Sequence, residues 1–174
     1  KPQTAIRLSL VGSEMCIRDS SERGPRVSEQ IKLLRQFWSE DLFSFEGEYD
    51  RIDRGNINIR PNRQIPIWLG GFSEVAFKRA GELGDGFIYA GDHERCLEGK
   101  NRTEHYLREF GRSEEDFGHE IIALRDRTPQ DAAETVKKWR DSGGTHASIA
   151  TMNCGLNGLQ EHLDFIKEAR DLID

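Results

Sequence analysis

Ile65-Pro66-Ile67-Trp68-Leu69-Gly70-Gly71-Phe72-Ser73 decides the fold, together with Ala76, Phe77, Ala80 and Leu83 and then Gly84-Asp85-Gly86-Phe87-Ile88-Tyr89-Ala90. A short apolar strand ends in two glycines. Ser73 stands where a helix cap belongs, and apolar residues recur behind it at helical spacing. A glycine turn then opens a second apolar run of strand length. Strand, helix and strand in so short a stretch predict parallel strands joined by a helical crossover.

The alternation continues toward the C-terminus. Thr103, Leu107 and Phe110 predict a helix stopped by Gly111, and Glu120–Leu124 a third strand. Thr128-Pro129-Gln130-Asp131 is a helix start, with a Thr cap, Pro at the first position and an acid at the third. Ala132, Val136 and Trp139 give that helix a face, and Gly143-Gly144 ends it. His146–Ala150 is a fourth strand, and Leu159, Leu163, Ile166, Ala169 and Ile173 mark a closing amphipathic helix. Four strands alternate with four helices, which predicts an α/β fold. The pattern fits either an open doubly wound sheet or half of a (β/α)8 barrel, since a whole barrel takes about 250 residues. One domain is expected.

Upstream, Val27, Ile31, Leu34 and Trp38 form a stripe over a helix at 27–38. Phe43–Ile52 predicts a short hairpin turning at Gly47, and 53–64 a polar loop. Residues 1–20 behave differently. Leu8–Ser20 has neither helical nor strand periodicity, and it lacks the apolar core of a signal peptide. It resembles a translated sequencing-adapter string, so residues 1–20 are read as an extraneous segment and 21–174 as the protein proper. An ordinary N-terminal tail is the alternative. An extraneous start favours the truncated barrel over a small intact domain.

The 174 residues carry 25 Lys+Arg against 31 Asp+Glu, a net charge of −6. That balance disfavours a nucleic-acid or anionic-membrane surface. No apolar run approaches the roughly 20 residues of a membrane span. Cys16, Cys96 and Cys154 are odd in number and far apart, so they form neither a disulfide framework nor a metal knuckle. A reducing cytoplasm is the expected compartment. His93, His105, His119, His146 and His162 show no metal-ligand spacing, and no metal is expected. Neither a dinucleotide fingerprint, a Walker loop nor a nucleophile elbow occurs; Gly81, Gly84 and Gly86 are punctuation at a helix end. Glu46 and Glu48 are expected in solvent. Asp85-Gly86 is a structural turn.

Gly70-Gly71-Phe72-Ser73 is the best chemical feature. It lies at the C-terminal end of a strand and opens a helix. Free backbone N–H groups there point outward, and the helix dipole favours an anion. Two glycines let a phosphate approach the backbone, and Ser73 can cap the helix or donate to a ligand oxygen. A tight turn with a serine cap and no ligand has the same pattern.

Pro66–Ser73, Ala80-Gly81 and Gly84–Phe87 resemble the luciferase-like monooxygenase family of flavin- and F420-dependent oxidoreductases. Arg23-Gly24-Pro25-Arg26, Phe45–Tyr49, Gly143–His146 and Thr151-Met152 extend the likeness over nearly all of 21–174. Phe87 stands where Trp is frequent and Ile59 where Pro is frequent. The resemblance implies the C-terminal half of a (β/α)8 TIM barrel with its cofactor at the strand ends. It implies that Gly70, Gly71, Phe72 and Ser73 hold the phosphate of FMN or coenzyme F420, with Tyr89, Ala90 and Gly91 bordering the same tail. The ring face and substrate pocket fall to the other half, so no catalytic residue is assigned. The chain is expected to be a fragment, inactive alone, of an enzyme acting on a small organic substrate, with a homodimer possible for the full-length protein. A non-catalytic anion-binding α/β module is the alternative.

Overall fold

The computed structural model describes residues 20–173. The segment read as extraneous lies, but for its last residue, outside the described residues. The chain divides into two compact units, Lys1–Ile65 and Pro66–Asp174.

The first unit holds helix α1 (Ser20–Ser39) and a hairpin of β1 (Phe43–Glu46) and β2 (Arg51–Gly55). Helix α1 begins seven residues before the expected one and runs through Pro25, which lacks one ladder N–H. Its buried residues are Ile31 and Leu33; Val27 and Leu34 of the expected stripe are largely exposed. Phe37 meets the buried Phe43 edge-on, at 4.7 Å between ring centroids. The hairpin is antiparallel, with Phe43 opposite Gly55. Its turn is held by Glu29, whose carboxylate accepts from the backbone N–H groups of Glu48 (2.7 Å), Tyr49 (3.0 Å) and Asp50 (2.7 Å). Desolvation raises the Glu29 pKa, but these bonds and Arg26 outweigh it, and the carboxyl sits below its ordinary value. Glu46 and Glu48 are exposed, as expected.

The second unit runs β3 (Trp68–Gly70), α2 (Glu74–Leu83), β4 (Gly86–Ala90), α3 (His93–Glu109), β5 (Gly118–Ala123), α4 (Pro129–Asp141), β6 (His146–Ile149) and α5 (Gly158–Ile173). The four strands are parallel and in sequence order, so β3 and β6 are the edges. Strand β3 starts later than expected because Pro66 has no N–H. The Ile67 N–H goes to the Asp85 carboxylate (2.8 Å) and the Ile67 carbonyl to the Asp85 N–H (2.8 Å). The Asp85 carbonyl in turn accepts from Gly118 N–H at 2.9 Å. Asp85 thus ties together the starts of three strands, the structural role expected of it.

The core uses one face of the sheet. Phe87, Tyr89 and Ile121 pack with Ala76, Phe77 and Ala80 of α2, with Cys96 and Leu107 of α3, and with Trp139 of α4. Ala132 of α4 joins Phe165 and Ala169 of α5, with Ile149 against them. The alternate residues Trp68, Ile88, Glu120, Ile122, His146 and Ser148 fall on the other face. A doubly wound sheet carries helices on both faces; this core is built from two layers. On the second face the Trp68 indole fills the space that side chains at Gly86 and Gly118 would need. It meets His146 edge-on at 4.9 Å.

Three expectations are corrected. Helix α3 begins at His93, ten residues before Thr103, because Asp92 caps it by accepting from Arg95 N–H (2.9 Å). Helix α5 buries Ala169 of the expected stripe, but with Phe165, while Leu159, Leu163 and Ile166 of that stripe are exposed. Gly81 is more than punctuation: it is buried where α2 meets α3, and a Cβ there would lie 2.5 Å from that of Tyr106. The α4 start is as expected, with the Thr128 hydroxyl accepting from Asp131 N–H at 3.1 Å.

Candidate functional site

The loop after β3 is shaped by one glycine and one unused hydroxyl. Gly71 has φ +145°, a conformation that L side chains rarely adopt, and a Cβ there would meet Ala76. Ser73 is extended and occupies the cap position of α2, but its side chain makes no cap hydrogen bond, contrary to the capping reading. Its carbonyl accepts from Ala76 (2.9 Å) and Phe77 (3.2 Å). The N–H groups of Glu74 and Val75, first in the helix, have no partner four residues back. The corresponding starts of α3 and α4 are both capped by side chains.

Glu74 would repel an anion here were its carboxylate not held elsewhere. It accepts from the Tyr106 hydroxyl (2.8 Å) and from Arg102 (2.5 Å), and these two bonds keep its pKa low. Arg102 also holds Glu98 at 2.7 Å. Phe72 is exposed, with the Arg95 guanidinium 4.7 Å from its ring centroid.

The end of β4 repeats the backbone device, with Gly91 at φ +146°. Tyr89 points into the core, 3% exposed, its hydroxyl 2.9 Å from His119 Nδ1. Burial, the Lys100 cation second, lowers His119 to a pKa of about 4, so its ring is neutral at pH 7. Burial also pushes the Cys96 thiol up to about 11, which leaves it protonated and unreactive.

Between the two strand ends lies a cleft of about 180 Å³. Of the expected residues it brings together Gly71, Phe72, Tyr89 and Ala90. Gly70 and Ser73 flank it, and Gly91 lines a neighbouring hollow with Asp92 and His93. Sequence reasoning missed Phe77, Arg95, Gly99 and Arg102 in its wall. The signal was available: Asp92 two residues beyond a strand is a cap, and Cys96, Gly99, Thr103 and Leu107 then form one helical face. Among the described residues no three His, Cys, Asp or Glu side chains group to hold a metal, and no helix is long and apolar enough to cross a membrane.

A glycine turn and an uncapped helix start at the C-terminal ends of parallel strands form the kind of backbone geometry with which α/β enzymes hold cofactors. The chain belongs to the luciferase-like monooxygenase family, whose sequence model matches residues 5–171. It is 31% identical over 130 residues to an F420-dependent glucose-6-phosphate dehydrogenase of Intrasporangium calvum, a match covering 68% of this chain and 37% of that protein. The enzyme of the same description from Nakamurella multipartita is 37% identical over 70 residues, 40% of this chain and 21% of that protein. The matched region thus spans little more than a third of these relatives' length, or less. An F420-dependent secondary alcohol dehydrogenase, solved with an F420-acetone adduct, shares the fold with a TM-score of 0.76 at 14% identity. That match covers 90% of this chain and 64% of the other.

Proposed function

We propose that this chain is the phosphate-binding portion of an F420-dependent oxidoreductase acting on a small organic substrate in the cytoplasm. Its four βα units form half of a (β/α)8 barrel. The observation that carries the reading is the loop from Gly70 to the start of α2. Gly71 at φ +145° leads to a helix whose first N–H groups no side chain caps. The residues fit the group: no side chain caps the helix start, the Glu74 carboxylate is drawn to Arg102 and Tyr106 on α3, and Arg95 stands beside the loop. The two-layer core and an open sheet with β3 and β6 as its outer strands support the half-barrel, since a second set of strands could close on them. The F420-dependent activities carried in the names of the related enzymes support the choice of cofactor.

When bound, the deazaflavin ring supplies hydride transfer. This chain's own residues anchor and orient. Gly70, Gly71, Phe72 and Ser73 fix the phosphate through backbone N–H groups. The ends of β3 and β4, with Gly71 and Gly91 in the same backbone conformation, would hold the loop in place against the cofactor.

The test is titration of the 174-residue chain with F420, read as anisotropy of the cofactor's own fluorescence, with FMN as the comparison ligand. Saturable binding is expected, and Gly71→Asp, which sets a carboxylate against the phosphate, is expected to abolish it. An affinity unchanged in a folded Gly71→Asp variant refutes the phosphate-loop reading.

A further inference from the structure

Six asparagines occur in the sequence, and Asn157 alone is followed by glycine. Asn56 and Asn58 precede Ile, Asn62 and Asn101 precede Arg, and Asn153 precedes Cys, so at each of these a side chain stands beside the next backbone nitrogen. Asn157 is exposed and stands immediately before α5, at the end of the loop that leaves β6. Gly158 has φ +82° and open space where a Cβ would be, so its nitrogen is not crowded. It is the first residue of the helix, and its N–H has no partner four residues back. The Asn157 carboxamide donates to the Gly155 carbonyl over a long 3.4 Å, and Gly155, at φ +75°, has the same open surroundings. The short contact is on the backbone: the Asn157 N–H donates to the Glu161 carboxylate at 2.6 Å, one turn into the helix.

We infer that Asn157–Gly158 is a site of spontaneous deamidation in the folded chain, and that Glu161 latches the helix start that the reaction undoes. The Gly158 nitrogen, its proton given to hydroxide, attacks Cγ of Asn157. An N–Cγ bond forms, the Cγ–Nδ2 bond breaks, and Nδ2 leaves as ammonia with a proton taken from water. Water then opens the five-membered imide. Addition at Cγ restores the main chain and leaves an aspartate. Addition at the backbone carbonyl leaves an isoaspartate, whose main chain runs through Cβ and Cγ. No oxidant, metal or enzyme is needed. Either product adds a negative charge four residues before Glu161, a like-charge spacing that weakens a helix. The isoaspartate also lengthens the main chain by one atom between the Asn157 N–H and the helix, so the Glu161 contact and the first turn of α5 cannot both be kept. That turn carries His162, whose Nδ1 lies 2.7 Å from the Thr151 hydroxyl in the loop after β6. Phe165 and Ala169 lie further along, packed with Ala132. The helix start frays while its core contacts stay.

The test keeps the unaltered 174-residue chain in warm, mildly alkaline buffer, once folded and once in urea. Peptide mass spectrometry follows the deamidated fraction at each asparagine, and a protein isoaspartyl methyltransferase with a labelled methyl donor reports the isoaspartate. Reaction confined to Asn157 is expected, at a folded-chain rate within about tenfold of the rate in urea, as for a site whose opening costs little. A folded-chain rate equal to the rate in urea multiplied by the globally unfolded fraction means that the reaction waits for unfolding, and overturns the inference. Deamidation that begins at Asn153 or another asparagine overturns it too. Glu161→Ala is expected to speed the folded chain's reaction by about two- to tenfold, the worth of one hydrogen bond, and to leave the rate in urea unchanged. The aged form carries one more negative charge, so ion exchange separates it from the fresh chain. Its amides at Leu159, Gln160, Glu161 and His162 are expected to exchange faster than in the fresh chain, and those of Phe165 and Ala169 at the same rate. Unchanged exchange in that first turn of the isoaspartyl form overturns the latch, and this comparison needs no variant.

Discussion

Acid should weaken this fold through His119, by an amount that can be worked out. The ring is 3% exposed, and burial with the nearby Lys100 cation holds its pKa at about 4, against Glu114, which pulls the other way. In the unfolded chain the same imidazole titrates near 6.5. Between those values the unfolded chain binds a proton that the folded one does not, so stability falls as pH falls. The loss attributable to His119 is about 2 kcal/mol between pH 7 and pH 5, and about 3 kcal/mol in all once pH passes below 4. Urea unfolding at pH 7, 6 and 5 measures it, with His119→Gln as the reference. Glutamine can still bond the Tyr89 hydroxyl but has no proton to gain. The native chain is expected to lose about 2 kcal/mol more than the variant over that range. Parallel pH profiles for the two proteins would refute a buried neutral histidine.

Gly81→Ala places a methyl group 2.5 Å from the Tyr106 Cβ and 2.9 Å from its carbonyl carbon, so α2 and α3 must part. A cost of about 1–3 kcal/mol is expected in denaturant titration, and an unchanged midpoint would show that the helices are not closely seated. Asp85→Ala removes the acceptor for Ile67 N–H at the opposite end of the strands from the loop. It should cost about 1–3 kcal/mol while leaving the affinity for F420 as it was; a weakened affinity in a folded variant would contradict that division. Glu29→Gln replaces one of two accepting oxygens with a donor facing backbone N–H groups. Hydrogen exchange at Glu48, Tyr49 and Asp50 should speed up, and unchanged rates would mean that the turn holds itself.

What could be read in the sequence was local. Thr128-Pro129-Gln130-Asp131 carries its cap, its first helical residue and its dipole partner within four positions, and α4 starts there. The alternation around Phe87 and Tyr89 gives β4 its face for the same reason. What failed depended on neighbours far along the chain. The stripe of α5 is periodic, but which of its residues are covered depends on α4 and β6, and Phe165 joins Ala169 of the stripe in contact with Ala132 and Ile149. Gly81 has the composition of a helix end and the position of a contact with Tyr106. At the site, Gly70–Ser73 was legible because a strand, two glycines and a cap residue are contiguous. Arg95 was not, because its nearness to Phe72 exists only once α3 lies beside α2. Ser73 shows the converse: a residue suited to capping whose hydroxyl the fold leaves unused.

Trp68, Gly86 and Gly118 share one volume across three neighbouring strands, the indole of the first standing in for the side chains the other two lack. Such an arrangement makes the three positions interchangeable only as a set. Enlarging either glycine should be ruinous with Trp68 present and tolerable once position 68 is small. A library randomised at all three sites and sorted for folded protein should therefore yield one large residue and two small ones, with the large one free to migrate from strand to strand.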